Sequence, residues 1–151
     1  MNNSTKLLVI GYGNELRGDD GVGPTVAEIV ERWNLDGVQA IVCPLLTPEL
    51  ADPVSKAQIA VFVDAAIGNP GNVLFSKLEP YESSKIIAHA ADPRTMLALA
   101  RDVFGHTPEA WWLQIPVSKL EFGEEFSPDA QRGMAEAVKK LRALCRSLQL
   151  S

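Results

Sequence analysis

The segment Lys6–Pro24, KLLVIGYGNELRGDDGVGP, decides how the rest of the chain is interpreted. It opens with an apolar run rich in strand-forming residues that ends in glycines, which is typical of a buried parallel strand. Pro24 suits the first helical position, and apolar residues then recur at helical spacing: Val26, Ile29, Val30 and Trp33. The segment therefore predicts a strand, a glycine loop and a helix.

Strands and helices continue to alternate along the chain. Further strands are predicted at Val38–Leu45, Ile59–Ala66, Val73–Leu78 and Ala110–Val117. Further helices are predicted from a Thr47 cap to about Lys56, over Asp92–Phe104, and after a Ser127 cap. Because such alternation is typical of parallel sheets, we expect an α/β fold. Specifically, residues 1–151 should form a single three-layer domain, a mostly parallel twisted sheet flanked by helices on both faces.

Composition and charge exclude several classes of function. The chain has 151 residues, 46% of them hydrophobic and 22% charged, which is close to an average globular protein. Its formal net charge of -5 disfavours binding to nucleic acid or to an anionic membrane, since both need a basic surface. The N-terminus lacks the long apolar region of a signal peptide, and Cys43 and Cys145 fit no metal-ligand spacing. We therefore expect a cytoplasmic protein with free thiols.

Three loops are candidates for a functional site. In open parallel sheets, ligands collect outside the carboxyl ends of the strands. That rule indicates the glycine loop, the end of the third strand at Asp64, and the loop that carries His89. Together they offer carboxylates and an imidazole, a mixed oxygen and nitrogen set that suits a borderline divalent ion such as nickel or zinc.

The glycine loop invites a comparison with dinucleotide-binding loops, but the match is poor. The third glycine of that pattern falls at Leu16, where close packing needs a small residue. Asp19 and Asp20 lie where a pyrophosphate would approach, and two carboxylates would repel it. A cation suits the loop better. Three of its glycines are also open to interpretation as turn residues with positive φ: Gly18, Gly21 and Gly23.

Each candidate also has a purely structural interpretation. Asp19 and Asp20 are equally well explained as helix caps, and one can cap while the other points into the crevice. Asp64 is either a turn residue or a costly buried charge that needs a partner. A lone histidine such as His89 is more often a hydrogen-bonded residue than a ligand. His106 follows a helix-ending glycine in a polar loop, and we expect it to be solvated.

One motif matches a known family. The run Gly11-x-Gly13-Asn14-x-Leu16-x-x-Asp19-Asp20-Gly21-x-Gly23 resembles the signature of the hydrogenase maturation proteases, which process the large subunit of nickel–iron hydrogenases. The resemblance continues through the strand end VFVDAA at Asp64 and the His89 loop, and its element order covers essentially the whole chain. The glycine motif is long and specific. The segments around Asp64 and His89 are short, and they support the resemblance mainly by their positions in the chain.

The resemblance implies a function and a site. By analogy, Asp20, Asp64 and His89 would be both the catalytic residues and the metal contacts. The protein would be a cytoplasmic endopeptidase, acting as a monomer, that removes the C-terminal extension of the nickel-loaded large-subunit precursor. Nickel would come with the precursor as the recognition element rather than being permanently bound. Asp20 is a candidate general base. Asn14 is a candidate to orient the loop or to donate to an oxyanion, and it is equally well explained as a turn residue.

The chain departs from many relatives after the second strand. It has CPLLTPE at Cys43–Glu49, a variant that resembles proteases serving NAD-coupled bidirectional hydrogenases. Two other functions stay open on the sequence. One is a non-catalytic chaperone that binds nickel-loaded precursor through the same three residues. The other, less favoured, is a nucleotide-binding α/β domain.

Overall fold

The computed structural model describes residues 5–68, 71–83, 92–118 and 125–150. Within these ranges, five strands form one sheet: β1 (Thr5–Tyr12), β2 (Val38–Cys43), β3 (Ala57–Ile67), β4 (Leu74–Leu78) and β5 (Glu109–Val117). The strand order is β2-β1-β3-β5-β4. The pairs β1–β2, β1–β3 and β3–β5 are parallel, and β4 runs antiparallel to β5. The carboxyl ends of four strands therefore share one edge of the sheet.

Four α-helices cover the two faces of this sheet. They are α1 (Val22–Trp33), α2 (Ala51–Ser55), α3 (Pro93–Phe104) and α4 (Pro128–Ser147). The apolar sides of α1 and α4 pack on one face of the sheet, and those of α2 and α3 pack on the other. This arrangement confirms the predicted α/β fold class with its mostly parallel sheet. Among the described residues, no helix is long and apolar enough to cross a membrane.

The core follows from strand periodicity. Successive side chains of a strand point to opposite faces, so a strand buried on both sides needs a continuous apolar run. In β1, Leu7 and Val9 pack beneath α1 and α4, whereas Leu8 and Ile10 pack towards α2 and α3. All four side chains are fully buried. The same alternation places Trp111 and Trp112 on opposite faces of β5.

The helix ends agree with the sequence in most places. Asp92 accepts a hydrogen bond from the Arg94 N–H at 2.8 Å at the start of α3. Gly105 ends that helix with φ 80°, and Ser127 Oγ accepts from the Ala130 N–H at 3.1 Å at the start of α4. Thr47 lies at the predicted N-cap position directly before Pro48, but its side chain makes no capping bond and the chain enters α2 through a 3₁₀ turn.

The start of α1 also differs from the prediction. The helix begins at Val22 rather than at Pro24, because a 3₁₀ turn at Gly18–Gly21 runs directly into it. Gly18 has φ 55° and fits the turn interpretation. Gly23 does not have a positive φ; instead, a Cβ there would overlap the Val63 carbonyl oxygen. Glycine at this position therefore permits close packing of α1 against the strand ends.

Candidate active site

The two described carboxylates of the predicted trio lie at the same edge of the sheet. Asp20 lies in the loop that follows β1, and Asp64 lies near the carboxyl end of β3, the parallel neighbour of β1. They are close enough for the charge of Asp20 to raise the pKa of Asp64. His89 lies outside the described residues. The structure therefore brings two of the three predicted residues together.

Asp20 is held by the backbone of its own loop. Its Oδ2 accepts a hydrogen bond from the Asn14 N–H at 2.7 Å. The Asn14 side chain in turn accepts from the Leu16 N–H at 2.9 Å, so this residue shapes the turn that presents the carboxylate. Asp20 is partly exposed and makes no side-chain capping bond to α1. The capping interpretation was therefore wrong for this residue.

Asp19 has a structural role instead. Its side chain is fully buried. Its two oxygens accept hydrogen bonds from the N–H and the hydroxyl of Ser127, at 2.8 and 2.7 Å. Because Ser127 also caps α4, the Asp19 carboxylate ties the glycine loop to the start of the last helix. Asp19 thus links two segments of the fold, whereas Asp20 is bonded within its own loop.

Asp64 is held by two aromatic side chains. Its Oδ1 accepts a hydrogen bond from the Trp112 indole N–H at 3.0 Å, and the Tyr12 hydroxyl donates a second. These three residues share one face of the sheet, since Tyr12 ends β1 beside β3, and Trp112 lies opposite Phe62 in the β3–β5 register. A strand-end carboxylate is thereby fixed between two neighbouring strands.

Burial changes the acidity of this group. The pKa of Asp64 is raised to about 7, chiefly by burial and to a smaller extent by the charges of Asp20 and Asp92, against the hydrogen bonds from Tyr12 and Trp112, which lower it. Burial likewise raises the pKa of Tyr12, as does the neighbouring Asp64 charge. A carboxyl group with a pKa near 7 can accept or donate a proton at neutral pH, which is typical of functional sites.

A second cluster adjoins Asp64 at the start of α3. Asp92 accepts hydrogen bonds from the Tyr81 hydroxyl at 2.6 Å and from two guanidinium nitrogens of Arg94 at 2.9 and 3.2 Å. Burial acts to raise the pKa of Asp92, but these bonds outweigh it and lower the pKa. The Arg94 guanidinium also lies 4.8 Å from the centre of the Tyr81 ring and 5.7 Å from that of Trp112.

A cleft of about 320 Å³ opens beside the glycine loop. Its lining is mostly apolar and includes Leu16, Pro24, Val42 and Pro44, from the loop, α1 and the end of β2. Leu16 is 64% exposed and adds apolar surface to this lining. Asn14, whose backbone N–H bonds to Asp20, is one of the lining residues, whereas Asp20 itself does not line the cleft.

No protein-family model and no curated protein sequence matches the chain. Solved structures do match over nearly its whole length. A hydrogenase 2 maturation peptidase from a Thaumarchaeota archaeon is 25% identical, with a TM-score of 0.70, covering 97% of this chain and 99% of that chain.

Other structural neighbours of this chain are also hydrogenase maturation proteases. The maturating endopeptidase HybD from E. coli has a TM-score of 0.74 at 20% identity, covering 97% of this chain and 95% of that chain. HybD from Thermococcus kodakarensis has a TM-score of 0.66 at 21% identity, covering 92% of this chain and 98% of that chain. These last two likenesses show the fold. The three neighbours named here are endopeptidases, and hence hydrolases, of the kind that the glycine motif resembles, while the subgroup is not determined.

Two of the three predicted metal contacts, Asp20 and Asp64, lie among the described residues. Within the ranges that the structure describes, no group of three or more metal-binding side chains occurs. The two carboxylates themselves suit a cation, because the charge of Asp20 disfavours ionisation of Asp64 unless a positive charge lies between them. The trio with His89 stays a prediction.

Four residues around Asp64 were not predicted as site residues: Tyr12, Tyr81, Arg94 and Trp112. The sequence carries only a weak signal that they belong to the site. Period-two alternation places Tyr12 and Trp112 on the α2–α3 face of their strands, but their approach to Asp64 depends on strand order and register.

His106 is exposed, as expected, and its ring contacts the Ala57 carbonyl oxygen at 3.2 Å.

Proposed function

We propose that this chain is an endopeptidase that removes the C-terminal extension of a nickel–iron hydrogenase large-subunit precursor after nickel insertion. The observation that carries the proposal is the pair Asp20 and Asp64, held at one sheet edge in a fold shared with hydrogenase maturation proteases. The enzyme would work in the cytoplasm as a monomer, with the precursor as its partner.

Nickel arrives as part of the substrate in this proposal. Asp20, Asp64 and His89 contact the metal and so place the nearby peptide bond at the sheet edge. The bound metal supplies Lewis-acid polarisation of the peptide carbonyl. Asp20, which is partly exposed and fixed through the Asn14 N–H, accepts a proton from the attacking water. The apolar cleft gives an extended peptide a place to lie beside the glycine loop.

The same residues could bind a nickel-loaded precursor without cutting it. A chaperone of this kind would leave the mass of the precursor unchanged, so product analysis separates the two functions. Nucleotide binding is less favoured, because Asp19 and Asp20 occupy the 3₁₀ turn directly before α1, where a phosphate would lie. A thermal-shift titration with NAD is expected to give no stabilisation at low concentration.

The proposal is tested by the intact mass of large-subunit precursors, nickel-loaded and metal-free, after incubation with the protein. We expect loss of a C-terminal peptide from the nickel-loaded form alone. Asp20→Ala should slow this cleavage by on the order of 100-fold, because a general base and metal contact is removed. Asp36→Ala is the matched control, since this exposed aspartate lies just before β2, at the opposite edge of the sheet.

Two outcomes would contradict the proposal. If several correctly loaded precursors form stable complexes but keep their mass, the chaperone function is favoured. If metal-free precursor is cleaved as fast as the nickel-loaded form, nickel is not the recognition element.

A further inference from the structure

We propose that Trp112 and Tyr12 are positioning residues that hold the Asp64 carboxylate in the orientation that cleavage requires. This inference rests on the proposed function and adds to it two residues that do not themselves touch the substrate. The observation is geometric: the Trp112 indole N–H lies 3.0 Å from Asp64 Oδ1, and the Tyr12 hydroxyl bonds to the same carboxylate.

The sheet places the three groups together. Tyr12 is the last residue of β1, Asp64 lies near the end of β3, and Trp112 belongs to β5, so the donors reach the acid from both neighbouring strands. Because all three strands are parallel and hydrogen-bonded, the donors and the acceptor belong to one rigid unit. Sites built on strands hold their geometry more closely than sites built on loops.

The chemistry of the donors makes the arrangement specific. An indole N–H can only donate, so the bond from Trp112 fixes Oδ1 as an acceptor. A carboxylate has about four lone-pair positions, and these two bonds occupy two of them. The remaining positions are left for the substrate. Side chains that orient a ligating or reacting carboxylate in this way are known to matter nearly as much as the ligand itself.

Trp112 is itself held in place. The Arg94 guanidinium lies 5.7 Å from the centre of its ring and pairs through two nitrogens with Asp92, the cap of α3. Arg94 also lies over the Tyr81 ring, whose hydroxyl bonds to Asp92. The indole is thus anchored to the start of α3, and its N–H stays directed at Asp64.

The chain contains a matched control for this bond. Trp111, the preceding residue, also donates its indole N–H to a carboxylate, Glu109 Oε2 at 2.8 Å. It lies on the opposite face of β5, towards α1 and α4, away from Asp64. Trp111→Phe and Trp112→Phe therefore each remove one hydrogen bond from an indole N–H to a carboxylate, at adjacent positions. Only the bond of Trp112 reaches Asp64.

The experiment compares cleavage of nickel-loaded precursor by the wild type, Trp112→Phe, Tyr12→Phe and Trp111→Phe. We expect kcat to fall about 10- to 100-fold in the first two variants with little change in KM, and to stay within about twofold in Trp111→Phe. The urea midpoints of Trp112→Phe and Trp111→Phe should be alike. Equal kcat in Trp112→Phe and Trp111→Phe overturns the inference. So does a loss of kcat that follows the loss of stability seen in the urea midpoint.

A second readout does not depend on activity. The chain has three tryptophans, so each Trp→Phe variant assigns one indole N–H signal in a proton–nitrogen NMR spectrum. Asp64→Ala is expected to shift the Trp112 signal upfield and to leave the Trp111 signal in place. An unmoved Trp112 signal overturns the inference. Failure of the wild type to cleave any precursor, with the Trp112 signal shifting as expected, would instead count against the proposed function.

Discussion

Asp64→Asn is expected to abolish precursor cleavage while making the protein more stable above pH 7. Asparagine can accept the Trp112 N–H as aspartate does, but it carries no charge for a cation and cannot accept a proton. Loss of one such group lowers the rate by on the order of 10³-fold. Activity and stability should therefore change in opposite directions.

The stability change follows from the pKa of Asp64. That pKa is raised from 3.8 to about 7, chiefly by burial, so the folded protein holds this proton more tightly than the unfolded chain does. The resulting stabilisation is fully present below about pH 4 and is lost as the pH rises to about 7. Above pH 7 the ionised group costs at most about 4 kcal/mol, at about 1.4 kcal/mol per pKa unit.

Urea unfolding of the wild type and Asp64→Asn across pH 4 to 9 measures this effect. The difference in unfolding free energy should grow between pH 4 and 7 and then stay constant. Asp36→Asn, which changes an exposed carboxylate, should show no such trend. A less stable Asp64→Asn protein at pH 8 would contradict the argument.

Asp19→Ala is expected to destabilise the fold more than the same change at the neighbouring Asp20. Asp19 is fully buried and accepts two hydrogen bonds from Ser127. Removing it leaves the Ser127 N–H and hydroxyl without that acceptor and frees the start of α4 from the glycine loop. The unfolding free energy should fall by about 2–4 kcal/mol. Asp20→Ala, at a partly exposed group, should cost at most about 1.5 kcal/mol.

Urea denaturation followed by circular dichroism distinguishes the two aspartates. Ser127→Ala is the matched variant, because it removes the hydroxyl that bonds to Asp19 and caps α4. The double variant should be less destabilised than the sum of the single ones, since both break the same network. An unchanged midpoint in Asp19→Ala would show that this buried pair does not stabilise the fold.

Much of the fold followed from local sequence patterns. Apolar runs of strand length, separated by capped helices, led to the α/β class and to most element positions. The caps at Asp92 and Ser127 were predicted because capping depends on residues only a few positions apart. The differences at Thr47 and Pro24 arose where a 3₁₀ turn replaced the expected first helical turn. Such turns use the same residues as helix starts, so local patterns do not separate them.

The sequence by itself determined that Asp20 and Asp64 share one edge of the sheet, because the carboxyl ends of parallel strands always meet there. Only the tertiary structure decided which of two adjacent aspartates is buried, since the partner of Asp19 is Ser127, 108 residues away. The pairing of Tyr12 and Trp112 with Asp64 likewise required strand order and register. Both depend on contacts between distant segments, which no local pattern specifies.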